Sequence, residues 1–197
     1  SDVYKRQVNT IRRTKFETTF AGGVGLRGDY SAIFNYAMKV SPVDESNLNQ
    51  SLIIVTPNTI DYGGITEMWE DGSTIAFCPL SEDTYPYDAR GIIQHEAGGH
   101  GFGKLGDEYI YHNGFIEFCC PLDFATLNHG KSLGWYENLS LTGKMHEVPW
   151  AHLIFDDRYS DVVDIYEGGF MHSRGVFRSE QNSCCLLYTS PSPRDCS

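Results

Sequence analysis

Apolar and polar positions fall into short, distinct patterns along the chain. Lys15–Phe20 (KFETTF) alternates with a period of two and predicts a strand. Asp29–Lys39 (DYSAIFNYAMK) sets Ile33, Phe34 and Ala37 at helical spacing behind an Asp that can cap the first turn. Ser51–Thr56 (SLIIVT) is a continuous apolar run closed by Pro57 and Asn58, the pattern of a buried strand. Ser73–Cys78 (STIAFC) follows the turn-forming Asp71–Gly72 and predicts another strand. It is expected at the edge of its sheet, open to an added strand. Ala89–His100 carries an apolar stripe of Ile92, Ile93 and Ala97, with Asp88 placed to cap it. The glycines of Gly98–Gly103 predict its end. Beyond, the pattern is irregular, with strands expected near Val148–Phe155 and Val162–Tyr166 and a turn at Gly168–Gly169. The order of elements predicts an α/β chain of the α+β kind, with the second helix central.

Composition narrows the classes. A chain of 197 residues fits one domain, and 41% hydrophobic with 13% aromatic residues suffices for a core. The 15 Lys and Arg against 26 Asp and Glu give a net charge of −11. Nucleic acid is therefore not an expected partner, since phosphate binding wants a basic patch. No apolar run approaches the roughly 20 residues of a membrane span.

The two ends change this arithmetic. SDVYKRQ (residues 1–7) and the tail CLLYTSPSPRD back-translate to complementary strings that match a transposase-based sequencing adapter. Residues 1–7 and 185–197 are thus expected to be translated adapter, outside the fold. That leaves Val8–Cys184 as a single domain, expected to be truncated at both ends. Its cysteines are Cys78, Cys119, Cys120 and Cys184. They allow three full pairings, and a bridge between the adjacent Cys119 and Cys120 would be strained. Zinc ligation by Cys119, Cys120 and His112 lacks CxxC spacing. The acids Asp156, Asp157, Asp161 and Asp164 match no EF-hand loop and read as solvated surface. Gly22–Gly28 (GGVGLRG) has no phosphate-loop lysine and reads as a turn.

Residues 90–109, RGIIQHEAGGHGFGKLGDEY, carry the chemistry. A His-Glu pair with a second His on one helix is a zinc hydrolase signature. His95 and His100 would bind one Zn²⁺, and Glu96 would take a proton from the zinc-activated water. The spacing is HExxxH rather than HExxH. On an α-helix four residues return a side chain to about 40° from the first, and five leave it about 140° away. A π-bulge absorbs the extra residue, and Gly98–Gly99 lie where the distortion is needed. The dipeptidyl-peptidase III family carries an HExxxH zinc motif too. Asp107 is the candidate third ligand, with Glu108 the neighbouring alternative. A more distant Glu117 would make a two-helix glutamate site. Met171, within GGFMHSR, is placed for a Met-turn after the zinc helix. His172, Arg174 and Tyr109 are candidates for oxyanion or substrate contacts.

Together HEAGGHGFGKLGDEY and GGFMHSRGVF resemble the IgA-peptidase-like zinc peptidases, metallopeptidase family sixty-four of metzincin type. The match is to a branch of gut bacteria that carries HEAGGH. SLIIVTPNT, YGGITEMWEDGSTIAFCP and WYENLSLTGKM support it. The resemblance implies a metzincin-like α/β fold with a mixed sheet, a central HExxxH helix and an irregular C-terminal subdomain. It also implies one catalytic zinc, a peptide or protein substrate, and a secreted or periplasmic location. Carried over, His95 and His100 match the ligand histidines, Glu96 the base, Asp107 the Asp of the DEY segment, and Met171 the Met-turn. The better-known relatives have HExGH, so this chain carries one residue more. The expected activity is zinc-dependent peptide hydrolysis. The competing expectation is an inactive, zinc-stabilised binding module for a host protein or glycan.

Overall fold

The computed structural model describes residues 15–110, 121–183 and 185. They form a mixed α/β chain with small sheets and four short α-helices, divided into two compact units at Ala97 and Gly98. No described helix is long and apolar enough to cross a membrane.

In the first unit β1 (Thr19–Phe20) pairs antiparallel with β2 (Leu26–Arg27), and Gly22 and Gly23 turn the chain between them at φ 107° and 56°. The strand expected over Lys15–Phe20 shrinks to its last two residues. Helix α1 (Tyr30–Ala37) starts where expected: Asp29 Oδ1 accepts the Ala32 N–H at 2.9 Å. Three strands follow, β3 (Leu52–Val55), β4 (Ile65–Met68) and β5 (Thr74–Phe77). They form a mixed sheet in the order β3-β5-β4, with β3 parallel and β4 antiparallel to β5. The sheet covers a core of Leu26, Ile33, Val55, Ile75 and Phe77.

Two expectations fail here. Ser73–Cys78 is not an edge, because β5 is paired on both sides and wholly buried. Nor is the SLIIVT run buried throughout: Leu52 is 37% and Ile54 44% exposed. As an outer strand, β3 turns alternate side chains toward solvent. Strand β4 (ITEM) gave no sequence signal, being four residues long and half-buried throughout.

Helix α2 (Ala89–Ile92) is capped by Asp88, whose Oδ1 accepts the Gly91 N–H at 3.0 Å. A Cβ on Gly91 would lie 1.7 Å from the Pro86 carbonyl oxygen. Only backbone displacement could relieve that contact. Gly91→Ala is therefore expected to cost about 3 kcal/mol or more, read as a lowered urea midpoint. A wild-type midpoint would show that the Pro86 turn yields freely. The chain then continues without a break into a π-helix, Ile93–Phe102.

The second unit contains α3 (Pro121–Ser132), β6 (Leu139–Ser140), α4 (Ala151–Ile154), β7 (Val163–Gly169) and β8 (His172–Glu180). The strands make an antiparallel sheet in the order β6-β8-β7. Leu127, Leu139, Phe170 and Val176 form one core cluster, and Val148, Trp150 and Val163 another. The strand expected over Val148–Phe155 is instead turn and α4, with the Trp150 indole N–H donating to Asp164 O at 2.9 Å. The strand expected near Val162–Tyr166 is β7, which with β8 makes a long hairpin whose turn falls at Phe170–Met171 rather than at Gly168–Gly169. Its register shifts between Val163 and Tyr166 and between Glu167 and Gly169, which breaks the period-two pattern that marks a strand. In the acidic stretch Asp156 pairs with Arg158 at 2.6 Å.

Candidate metal centre

The central helix departs further from α geometry than a single bulge. All ten residues from Ile93 to Phe102 are π-helical. In a π-helix the residue five positions along is the hydrogen-bonded neighbour, as the residue four along is in an α-helix. The five-residue step from His95 to His100 is thus the repeat of the local ladder. Gly103 N–H continues it, donating to Gly98 O at 3.0 Å. The helix ends where Lys104 takes the left-handed conformation at φ 53° and Leu105 N–H reaches back to Gly99 O at 3.0 Å.

Within this one run of chain, His95, His100 and Asp107 each bring a ligand atom within 4.8 Å of the others. The two imidazoles are buried, and Asp107 is half-buried. The donor set suits zinc, which takes His nitrogen and carboxylate oxygen. Among the described residues this is the one such His/Cys/Asp/Glu group.

Local bonds fix the imidazole of His100. Its Nδ1 lies 2.7 Å from Leu105 O, and a carbonyl only accepts, so Nδ1 carries the hydrogen. Nε2 then faces Asp107 Oδ1 at 3.0 Å. A positive charge shared between them, a proton or a metal cation, suits that pair. An imidazole whose far nitrogen is tied to a carbonyl is the usual state of a metal-binding His.

Glu96, in the π-helix, is buried against β4. Thr66 Oγ1 lies 2.9 Å from Glu96 Oε2 and 2.7 Å from its carbonyl oxygen. Cys78, at the end of β5, is buried, and burial pushes its thiol up, helped by the charge of Glu96.

Asp107 and Glu108 point to different partners. Glu108 is 2% exposed and accepts from Asn138 Nδ2 at 2.8 Å and Ser183 Oγ at 2.6 Å. Burial raises its pKa, and those two donors lower it in part. Asn138 also brackets Gly106, accepting its N–H and donating to its carbonyl, both at 2.8 Å. Cys185, assigned to the adapter tail by sequence, is buried, and its carbonyl accepts the Glu108 N–H at 3.0 Å. Asn138, Ser183 and Cys185 thus anchor the loop that carries Asp107. No motif had pointed to these bonds.

Met171 sits at the tip of the β7–β8 hairpin. Phe170 and Met171 both have positive φ, 49° and 66°, so two bulky residues occupy the left-handed region of the turn. Phe170 N–H donates to Asp107 O at 2.8 Å, and Met171 N–H to Tyr109 O at 3.0 Å. The Met-bearing turn therefore grips the backbone of the DEY segment. Tyr109 is half-buried there. His172 is buried, with Nδ1 bonded to Phe170 O and Nε2 3.1 Å from Asp123 Oδ2, so one ring nitrogen serves the hairpin turn and the other ties it to α3. Arg174 is exposed on β8. Glu117, His112, Cys119, Cys120 and Cys184, each considered from the sequence, lie outside the described residues. No protein-family model matches the chain, and no curated protein does either.

Proposed function

We propose that this chain is a zinc-dependent peptidase of metzincin type, with Glu96 as general base. The observation that carries the reading is the grouping of His95 and His100, spaced at the repeat of the π-helix, with Asp107 from the loop that follows it. One Zn²⁺, when bound, would supply a Lewis acid that acidifies water and polarises a carbonyl. His95 and His100 would hold it through neutral imidazoles, and Asp107 through one carboxylate oxygen. Glu96 takes a proton from water as the water oxygen adds to the peptide carbonyl. It then returns that proton to the nitrogen as the C–N bond breaks. The substrate is a peptide or protein, and a secreted or periplasmic location is proposed on the family resemblance.

Zinc analysis and hydrolysis of a peptide library test this together. About one equivalent of zinc is expected, in line with a three-residue ligand set. Turnover should stop on chelation and return with added zinc. A zinc-loaded chain that cleaves no peptide would replace the reading with the binding module.

A further inference from the structure

Glu96 is held by two residues that no motif singles out. Thr66 stands in β4, and its single hydroxyl lies within hydrogen-bond distance of both the Glu96 carbonyl, at 2.7 Å, and Glu96 Oε2, at 2.9 Å. One oxygen atom therefore ties the backbone and the carboxylate of the same residue. The hydroxyl carries one hydrogen, which the two acceptors share. Gly64, two residues earlier, shapes the same slot. A Cβ there would lie 2.7 Å from Glu96 Oε1 and 2.9 Å from Cγ, inside the distances that real Cβ atoms keep. The carboxylate occupies the space that a side chain at residue 64 would fill. The next residue is tied as well, through the Ala97 N–H bond to Cys78 at the end of β5.

We infer that Thr66 and Gly64 are positioning residues that set the direction of the Glu96 carboxylate before substrate arrives. The inference rests on the reading of Glu96 as the base. Its geometry does not, so the two can fail separately. A hydroxyl that only satisfied a buried acid would need no bond to the acid's own carbonyl. Direction matters to a base because a misplacement of about 1 Å can cost about a hundredfold in rate.

The test compares metal-free crystals of wild type, Thr66→Val, Thr66→Ser and Gly64→Ala, with kinetics of the zinc-loaded proteins beside them. Glu96 is expected in place in wild type and Thr66→Ser, and displaced in Thr66→Val and Gly64→Ala. The displaced variants should keep their zinc and their KM while kcat falls by about ten- to a hundredfold, with Thr66→Ser restoring most of it. An unmoved carboxylate in Thr66→Val and Gly64→Ala, or wild-type kcat in both, overturns the inference. If wild type and Glu96→Gln turn over alike, the peptidase reading falls, and the position of Glu96 in the crystals alone decides the clamp.

Discussion

Glu96→Gln is expected to slow peptide hydrolysis by about 10²- to 10⁴-fold and to leave zinc content unchanged, the range that a positioned general base contributes. The amide keeps the length of the side chain and can still meet the Thr66 hydroxyl, which lies 2.9 Å from Oε2 in the wild type. What it loses is the capacity to take and return a proton. KM should hold, because the substitution removes nothing that binds the ground state. Equal turnover by the variant would sink the mechanism, and loss of zinc would place Glu96 among the ligands.

His100→Ala is expected to abolish zinc binding. Zinc that binds only the folded protein stabilises it by about 2.7 kcal/mol at a free concentration 100 times Kd. The variant should lose that increment, so its melting temperature should no longer respond to zinc. Glu108→Gln supplies the contrast. Its side chain is turned to Asn138 and Ser183, away from the ligand group, and both partners can still bond an amide. Zinc uptake should therefore survive in Glu108→Gln and fail in Asp107→Ala. Retention of one equivalent by His100→Ala would falsify the ligand set.

The parts legible in the sequence were those with a local cause. Asp29 and Asp88 announced both helix starts, because a capping carboxylate needs only the backbone three residues on. The departure from α geometry at Gly98–Gly99 followed from the angle between two histidines, although it spreads over ten residues rather than one turn. The parts that escaped depend on distant partners. Thr66 lies thirty positions before Glu96 and Asn138 thirty after Glu108, and no local pattern marks either. The edge role given to Ser73–Cys78 failed for the same reason. Strand order is decided by pairing, and the short ITEM segment took the outer place.

Sequence spacing and helical pitch are interchangeable in this centre. A four-residue step on an α-ladder and a five-residue step on a π-ladder both deliver two imidazoles to one side of a helix. What identifies the motif is therefore the hydrogen-bond step between its histidines, and the number of intervening residues only follows from it. A search pattern that counts residues alone divides chemically equivalent sites into separate classes.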